Sequence, residues 1–275
     1  MKILAVSGGI DSVVMLHFLA AQNKDILVAH FDHGIRPNSS EDAAFVERLA
    51  SGYGLKFVLR RASLGENCSE ATARSERYKF LEELSQQYNA TICVAHHSDD
   101  VIESIAINLI RGTGWRGLAP MRAKNIERPL LGWRKKDIYR YACENNLHFR
   151  QDQTNTDSVY LRNRVREKLA FLPANEKDKI LELYRRQAEI GQEVDDLLAG
   201  IVASEKYYSR NIAELDDIVA REILRFILSN YEISLTRPQL DQCLVAIREY
   251  LPGKRISIGP NRFILIGKYN FEIMI

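Results

Sequence analysis

A short loop near the start of the chain has the composition of a phosphate-binding site. Residues 7–12 read SGGIDS and lie between an apolar strand-like run and the first helical pattern. The glycines allow a tight turn with N–H groups facing an anion, the helix start adds a positive dipole end, and the serines add hydroxyl donors. No lysine follows the glycines, which disfavours a Walker-type loop. We expect this loop to bind nucleotide phosphates through Ser7, Gly8, Gly9, Ile10, Asp11 and Ser12.

Asp11 places a carboxylate inside this anion-binding loop. A carboxylate beside a phosphate is repulsive unless a cation lies between them, so Asp11 predicts bound magnesium (Mg²⁺). In the alternative interpretation, Asp11 caps the N-terminus of the helix and the two glycines form only a tight turn.

A second group of reactive side chains follows the fourth apolar run and consists of His96, His97, Asp99, Asp100 and Glu103. Asp100 and Glu103 are three residues apart and therefore share a helix face, where they can hold magnesium or a substrate ammonium group. A transition-metal site is disfavoured because a third spaced ligand is missing. Capping by Ser98 or Asp99 explains a helix start here but does not explain the two histidines.

The elements that must position these residues alternate between strands and helices. Strands are predicted at Lys2–Val6, Asp25–Phe31, Leu55–Arg60 and Ala90–Ala95, and helices at Asp11–Gln22, Ser40–Tyr53, Ser69–Gln87 and Asp99–Arg111. Short runs that are apolar on both faces indicate buried parallel strands, and this alternation predicts an α/β fold with a doubly wound, Rossmann-like parallel sheet. Ligands bind such sheets beyond the carboxyl ends of the strands, where residues 7–12 fall.

The second half of the chain is predicted to be helical and then β-rich. Residues 111–129 are rich in Gly, Pro and basic residues and predict a long functional loop without regular elements. Helices follow at Trp133–Asn145, in a short segment ending at Lys168, and at Glu176–Ser204, Leu215–Ser229 and Arg237–Tyr250, before a small β-meander. We divide the chain into a catalytic domain (1–173), a helical linker (174–206) and a small α+β domain (207–275).

Positive charge is concentrated in one segment. The chain has a net charge of +2, but Arg111–Arg140 contains nine basic and two acidic residues, which gives this segment +7 and leaves −5 for the rest. Such asymmetry predicts a surface that faces a polyanion, and the alternative is a solvated basic face. Apolar residues at 46% and charged residues at 27% disfavour a disordered chain.

The cysteines and the hydrophobic runs favour a cytoplasmic protein without membrane association. Cys68, Cys93, Cys143 and Cys243 are far apart and form no CxxC pair, so they predict neither a metal site nor a disulfide framework. No run approaches the ~20 apolar residues that span a membrane. The first residues also show no charged-then-apolar leader.

The loop SGGxDS after the first strand resembles the signature of the PP-loop (N-type) ATP pyrophosphatases. The resemblance implies an enzyme that cleaves ATP between its α- and β-phosphates, activates a substrate oxygen as the adenylate, and lets a nucleophile displace AMP. The family includes asparagine and GMP synthetases, tRNA thiolases and tRNA(Ile)-lysidine synthetases.

Several further segments resemble the tRNA(Ile)-lysidine synthetases in order and spacing from residue 3 to residue 173. These segments are His30–Arg36, Glu70–Arg74 with Arg77 and Tyr78, His96–Asp100 with Glu103, Arg111–Gly114 with Gly117 and Leu118, Arg128–Leu131, and Asp152–Asp157 with Arg162, Asn163 and Arg166. Asp32 departs from the asparagine that is common in the first of them.

The resemblance implies a role for each matching residue. ATP would be bound by the loop with His30 and His96, and magnesium by Asp11, with Asp100 as a further candidate for the same ion. The implied catalytic residues are Asp11, Arg74, His96, Asp100 and Glu103. The residues implied to contact lysine or tRNA are His33, Arg36, Arg77, Arg111, Gly112, Thr113, Trp115, Arg116, Arg128, Arg162, Asn163 and Arg166.

Several assignments have two interpretations. The resemblance places Arg74 and Arg77 at the reacting phosphate or base without assigning either one, and in the alternative interpretation one of them pairs with Glu70 on its own helix. The roles of Asp99 and Asp100 are not distinguished. Trp115 either stacks on an extruded base or anchors its loop. Lys135 and Lys136 are predicted to be solvated unless their face binds tRNA.

The implied reaction has two steps. ATP activates the carbonyl oxygen at carbon-2 of the wobble cytidine of tRNA(Ile) with a CAU anticodon, and pyrophosphate leaves. The ε-amine of free L-lysine then attacks that carbon and displaces AMP. A homodimer is a further expectation from the resemblance.

Three other functions are weaker predictions. A tRNA thiolase is disfavoured by the absence of CxxC, and a glutamine-dependent amidotransferase needs an ammonia-generating domain that the chain has no room for. An inactive nucleotide-sensing or RNA-binding module does not explain Asp11, His96, Asp100 and Glu103.

Overall fold

The computed structural model describes residues 1–22, 25–34, 39–62, 65, 68–123, 125–150, 161–202 and 207–275. It divides the chain into two compact units, Met1–Ala188 and Glu189–Ile275. The predictions made for Arg36 and for Asp152–Asp157 lie outside the described residues. The three-part division into catalytic domain, linker and small domain stays a prediction.

A parallel five-stranded sheet forms the centre of the first unit. Its strands are β1 (Lys2–Ala5), β2 (Ile26–Asp32), β3 (Lys56–Arg61), β4 (Thr91–Cys93) and β5 (Ile126–Glu127). The strand order is β3-β2-β1-β4-β5, and every neighbouring pair is parallel. The order reverses between β1 and β4, so a crevice for a ligand is expected at their carboxyl ends. The predicted doubly wound sheet is confirmed.

Within the described residues, the helices that lie wholly in this unit are α1 (Ile10–Ala20), α2 (Ser39–Gly52), α3 (Glu70–Tyr88), α4 (Ser98–Ile110), α5 (Lys135–Glu144) and α6 (Leu161–Ala170). Strand residues alternate between two cores. Leu4 packs with α1, α2 and α5, whereas Ile3 packs with α3 through Phe80 and Leu81. Because successive strand side chains point to opposite faces, this alternation requires helices on both sides of the sheet.

Two details of the predicted secondary structure were wrong. The segment 111–129 contains a 3₁₀ helix at Trp115–Leu118 and the strand β5, which pairs with β4 through Ile92 and Ile126. A strand of two residues is too short to show a hydrophobic period. This strand forms because the edge of β4 offers backbone hydrogen-bonding groups, which a local sequence pattern does not reveal. In addition, β3 is not buried on both faces, because it is the edge strand of the sheet.

The second unit is an α+β layer structure. The long helix α7 (Ala174–Ile201) contains the division between the two units. It is followed by β6 (Tyr207–Ser209), a 3₁₀ helix (Arg210–Glu214), α8 (Asp217–Ser229), α9 (Arg237–Glu249), β7 (Arg255–Gly259), β8 (Arg262–Ile266) and β9 (Asn270–Met274). The strands form an antiparallel sheet in the order β6-β9-β8-β7, which confirms the meander and adds β6 to it.

One face of this sheet is covered by α8 and α9. Leu224 of α8 and Leu244 of α9 share a core with Ile264 and Phe271. Arg210 fixes the end of α9, because its guanidinium donates to the carbonyl oxygens of Ile247 at 2.6 Å and of Arg248 at 3.0 Å. None of the helices in the described part of the chain is long and apolar enough to span a membrane.

Candidate functional site

The loop of residues 7–12 joins β1 to α1 at the carboxyl edge of the central sheet. Internal hydrogen bonds close it: the Ser7 N–H donates to Ser12 Oγ at 3.2 Å, and Ser12 Oγ donates to the Gly9 carbonyl at 2.8 Å. The Gly8 carbonyl accepts a bond from the Arg150 N–H at 2.9 Å. The loop is therefore held from both sides before any ligand binds.

The structure explains the two glycines of the loop in different ways. Gly8 has a φ of +89°, in the left-handed region, and a Cβ there would meet Phe45 at 3.4 Å and Val46 at 3.5 Å on α2. Gly9 has an ordinary φ of −71° and is the N-cap residue of α1. A Cβ on Gly9 would meet only Ser7 Oγ, at 3.6 Å. Gly8 is thus required by the fold, whereas Gly9 leaves the ligand side of the loop open.

Asp11 forms an ion pair that the sequence did not predict. Its two carboxylate oxygens accept hydrogen bonds from Lys135 Nζ at 2.6 Å and 2.8 Å. His97 Nε2 lies 3.9 Å from the same carboxylate, and about a third (32%) of the Asp11 side chain is exposed. The capping interpretation of Asp11 is wrong because Gly9 occupies the N-cap position.

Lys135 is the functional candidate that sequence reasoning missed. It is the first residue of α5, and its backbone N–H donates to Asp99 Oδ2 at 2.8 Å. Its predicted solvation is wrong, since Nζ contacts Asp11 across 124 positions of the chain. Its place at the start of a helix after the Arg128–Leu131 segment was the only sequence signal, and neither charge nor spacing distinguished it from Lys136.

The start of α4 is tied directly to the start of α5. Ser98 Oγ donates to the Trp133 carbonyl at 2.7 Å, and Asp99 accepts from Lys135 N–H. Asp100 instead faces its own helix and α6: its Oδ2 accepts from the His97 N–H at 2.9 Å, and its Oδ1 accepts from Arg162 at 3.0 Å. The structure therefore separates two neighbouring aspartates that the sequence could not distinguish.

Asp100 and Glu103 are neutralised by two arginines of α6. Arg162 donates to Glu103 at 2.9 Å, and Arg166 donates to both Glu103 oxygens at 2.7 Å and 3.2 Å. Glu103 is only 4% exposed, so these guanidinium groups replace the water that a buried carboxylate would lose. The predicted binding of lysine by these carboxylates, and of tRNA by Arg162 and Arg166, stays a prediction.

Neighbouring charges shift the pKa values of Asp100 and Arg166 in the directions expected for ion pairs. Burial raises the pKa of Asp100, but His97, the His97 N–H and Arg162 outweigh it, so the pKa lies below its ordinary value. The hydrogen bonds to Glu103 raise the pKa of Arg166. Asp100 is therefore ionised at neutral pH, and both of its oxygens already accept hydrogen bonds.

His96 is a neutral histidine in a cationic environment. Burial lowers its pKa to about 4, the charges of Arg74, Arg128 and Arg162 lower it further, and Asp100 opposes them. Its Nδ1 atom has no hydrogen-bond partner among the described residues. The imidazole is thus available at neutral pH as a hydrogen-bonding group that adds no further positive charge.

The other histidines of the predicted site have local partners. His30 is buried and its Nδ1 donates to the Val6 carbonyl at 2.7 Å, which supports the end of β1 beside the loop. The ring of His33 lies 4.8 Å from the ring of Phe31. Contact of His30 with ATP and of His33 with tRNA stays a prediction.

The basic residues predicted to contact tRNA lie on several elements. Arg111, Gly112 and Thr113 are exposed after α4, and Thr113 Oγ1 donates to the Asn108 carbonyl at 3.0 Å. The Arg116 guanidinium lies 4.7 Å from the Trp115 ring centroid. These contacts fit either interpretation of Trp115.

Two further arginines of the set contact Tyr78 on α3. The Arg74 guanidinium lies 4.8 Å and that of Arg77 5.6 Å from the Tyr78 ring centroid. Arg128 donates to the Ile126 carbonyl at 3.0 Å, and burial lowers its pKa. Asn163 lies on α6 between the arginines that bind Glu103. The roles proposed for Arg77 and Asn163 stay predictions.

The buried cysteines are poor candidates for sulfur chemistry. Burial raises the pKa of Cys93 to about 12 and that of Cys243 to about 11. A thiol with so high a pKa supplies very little thiolate at neutral pH. Within the described ranges, no group of three or more His, Cys, Asp or Glu residues could hold a metal ion.

The strand–loop–helix at the reversal of a parallel sheet, with Asp11 and Lys135 beside the loop, defines a nucleotide-binding α/β domain. Residues 2–172 match the family model of the PP-loop domain. The chain therefore belongs to the PP-loop family.

Several similar sequences are tRNA(Ile)-lysidine synthases. The chain is 30% identical over 299 residues to a tRNA(Ile)-lysidine synthase of Clostridium perfringens, a match that covers 97% of this chain and 63% of the relative. It is 36% identical over 215 residues to the tRNA(Ile)-lysidine synthase of Geobacter sulfurreducens, covering 73% of this chain and 46% of the relative. The chain thus spans less than two thirds of the length of these relatives.

A solved structure supports the fold. The tRNA thiolase NcsA of Methanococcus maripaludis superposes with a TM-score of 0.57 at 20% identity, covering 68% of this chain and 72% of the other. At this identity the likeness concerns the arrangement of the sheet and helices alone.

Proposed function

We propose that this chain ligates lysine to carbon-2 of the wobble cytidine in tRNA(Ile) with a CAU anticodon. The base is first adenylated by ATP, and the products are lysidine, AMP and pyrophosphate. One observation supports this function most directly: the Asp11–Lys135 pair beside the anion-binding loop. A carboxylate and an ammonium group at one corner suit a nucleotide whose phosphates arrive with a divalent cation.

The donor atoms at this corner fit magnesium. Asp11 offers a partly exposed carboxylate, and Mg²⁺ is usually held by one or two carboxylates together with substrate phosphates. Asp11 would hold the ion, which when bound would neutralise phosphate charge during cleavage of ATP. In this proposal Lys135 balances Asp11 before ATP binds and then donates hydrogen bonds to phosphate oxygens.

The contacts of Asp99 support the role proposed for Lys135. Its carboxylate accepts from the Lys135 N–H and lies 3.7 Å from Lys177 Nζ. Because these contacts fix the N-terminus of α5, they also fix the position of the Lys135 side chain relative to the loop of residues 7–12. Asp99 is therefore proposed to position Lys135 without touching ATP.

His96 is proposed to contact the nucleotide. Because its pKa of about 4 keeps it neutral, it donates or accepts a hydrogen bond beside Arg74 and Arg128 without adding repulsion. The arginines are suited to the negative charge of the phosphoryl group that is transferred.

Free lysine is proposed to reach Asp100 and Glu103 by exchange of cations. Both carboxylates are engaged by Arg162, and Glu103 also by Arg166. An incoming ammonium group must replace at least one guanidinium contact, because two buried carboxylates cannot satisfy three cations equally well. Arg166 is the more exposed of the two arginines and is the proposed group that yields.

The remaining parts of the proposal concern tRNA binding, the oligomeric state and the cellular location. The basic segment Arg111–Arg140 and the domain 207–275 are proposed to bind tRNA, with residues 174–206 as the linker. A homodimer acting in the cytoplasm completes the proposal.

Transfer of labelled lysine tests the function. Purified chain, ATP, magnesium and a tRNA(Ile) transcript with a CAU anticodon should give label in the tRNA at the wobble cytidine. A transcript with uridine at that position is the matched control and should stay unlabelled. Absence of label from the CAU transcript, with a folded protein that still binds ATP, would refute the proposal.

A further inference from the structure

Two polar contacts join α1 to α5 at the same separation along the chain. Lys135 donates to Asp11 at the start of the two helices, and a hydrogen bond of 2.9 Å joins His17 Nδ1 to the Tyr141 hydroxyl. Both pairs span 124 positions, so the second pair lies six residues after the first on each helix (11 to 17 and 135 to 141). The two helices therefore run in the same direction and are joined at two points.

The second contact fixes how far α5 is displaced along α1. A slip of α5 by one residue would move Lys135 by about 1.5 Å along the helix axis and turn it by about 100°. Lys135 Nζ would then lose its bonds of 2.6 Å and 2.8 Å to the two carboxylate oxygens of Asp11. Val14 and Ile138 are buried in the core between the helices, but apolar burial is not directional and resists such a slip only weakly. A hydrogen bond depends on both distance and angle and therefore selects one register.

Aromatic rings hold the second contact in place. The ring centroid of Tyr141 lies 5.3 Å from that of Trp133 and 6.5 Å from that of Phe18. The ring of His17 lies 6.0 Å from that of Tyr53, which follows the end of α2. All three pairs meet edge to face, an arrangement that constrains the orientation of each ring as well as its distance. The rings therefore confine the Tyr141 hydroxyl to the neighbourhood of His17.

We infer that His17 and Tyr141 are positioning residues for the ATP site. Their hydrogen bond sets the register of α5 on α1 and so places Lys135 at Asp11. This role rests on the proposed function, in which Lys135 donates hydrogen bonds to the phosphates of ATP. His17 and Tyr141 lie roughly 9 Å further along their helices than the Asp11–Lys135 pair, so they act on ATP through Lys135. Because bound phosphates themselves attract Lys135, loss of the hydrogen bond lowers the affinity for ATP more than the rate of reaction of bound ATP.

ATP affinity in variants of the whole chain tests the inference. Tyr141→Phe removes the hydroxyl and keeps the ring, and it should raise the Kd for ATP about threefold or more in isothermal titration with magnesium and without tRNA. In pyrophosphate release at saturating tRNA and lysine, the KM for ATP should rise likewise, while kcat stays within about twofold of the wild type. A wild-type Kd for ATP in Tyr141→Phe would overturn the inference.

The matched control is Tyr231→Phe. The Tyr231 hydroxyl forms a hydrogen bond of 3.1 Å with the hydroxyl of Tyr208 in the second unit, and Tyr231 is partly buried like Tyr141. This substitution removes the same kind of bond, so it should lower the melting temperature about as much as Tyr141→Phe and leave the Kd for ATP unchanged. An equal rise of the Kd in both variants would assign the effect to lost stability and would overturn the inference.

Two substitutions of His17 separate the hydrogen bond from the imidazole ring. In His17→Asn the side-chain amide can take the place of Nδ1, whereas His17→Leu leaves no hydrogen-bonding group there. His17→Asn should bind ATP within about twofold of the wild type, and His17→Leu should match Tyr141→Phe. The same loss of ATP affinity in both variants would contradict a role for the hydrogen bond.

A double variant shows whether Tyr141 acts through Lys135. In a Lys135→Gln protein, Tyr141→Phe should change the Kd for ATP by less than about twofold, because the group that Tyr141 positions is absent. A further loss as large as in the wild-type background would overturn the inference. A wild type that transfers no lysine to tRNA, but in which Tyr141→Phe weakens ATP binding only while Lys135 is present, would support the positioning role and refute the proposed function.

Discussion

The glycine pair of the phosphate loop allows stability and ligand binding to be separated by single methyl groups. Gly8→Ala places a side chain at a φ of +89°, which costs about 1–2 kcal/mol for an L-residue. The added Cβ would touch Phe45 and Val46 at ordinary contact distances, so backbone strain is the main term. Gly9→Ala keeps an ordinary φ, and its free energy of unfolding should change by no more than roughly 0.5 kcal/mol.

The two substitutions should have opposite profiles. Urea unfolding should show Gly8→Ala to be less stable than Gly9→Ala by about 1–2 kcal/mol, or a melting temperature lower by roughly 2–8 °C. Gly9→Ala should lower ATP affinity by about tenfold or more with little change in stability, because its methyl group lies on the open side of the loop, near Ser7 Oγ. Isothermal titration with ATP and magnesium measures the affinity. Equal destabilisation by both substitutions, or wild-type ATP affinity in Gly9→Ala, would refute this account of the loop.

Three further predictions concern charged groups of the site. Asp11→Asn and Lys135→Gln should each reduce ATP-dependent pyrophosphate release at least about tenfold. Their free energy of unfolding should change by no more than about 1 kcal/mol, since both partners are partly exposed. Full activity of either variant would remove that residue from the ATP site. Arg166→Gln should lower KM for lysine several-fold, because Glu103 then keeps only Arg162 as a guanidinium partner, and a raised KM would contradict the exchange of cations. Because the pKa of His96 falls from 6.5 unfolded to about 4 folded, the unfolded state binds more protons between these values, so stability should fall by roughly 3 kcal/mol as the pH drops from 6.5 to 4. His96→Asn should flatten this part of the stability profile, and an unchanged profile would show that His96 is not the titrating group.

Two substitutions of Asp99 test its proposed role in positioning Lys135. Asp99→Asn keeps an oxygen for the Lys135 N–H, whereas Asp99→Ala removes it. A larger rise of KM for ATP in the alanine variant than in the asparagine variant would identify Asp99 as a positioning residue for Lys135. Equal effects of the two substitutions would instead assign the role to its charge.

Local patterns were sufficient for the first four strands of the central sheet. The strands β1, β2 and β4 are short runs buried on both faces, and the helices between them follow from periodicity within a few residues of their observed ends. Residues 7–12 were recognisable because a strand, two glycines and a helix start are adjacent in the chain. The family likeness depended on the same kind of local segment, repeated in a fixed order.

Short elements were beyond the reach of the sequence. The strands β5 and β6 have two and three residues, fewer than are needed to show an alternation. Each exists because a neighbouring strand, β4 or β9, presents backbone hydrogen-bonding groups at its edge. Pairing of this kind depends on a partner that lies far away in the chain.

The sequence by itself determined the first four strands of the sheet, the strand–loop–helix at residues 7–12 and the place of the carboxylates at the start of α4, because backbone preference and hydrophobic period act between neighbouring residues. Only the tertiary structure decided which charges meet. Lys135 contacts Asp11 from 124 positions away, and Arg162 contacts Glu103 from 59 positions away. Side chains so distant in sequence come together only when α5 and α6 pack beside α1 and α4, and ion pairing then fixes which carboxylate each cation neutralises.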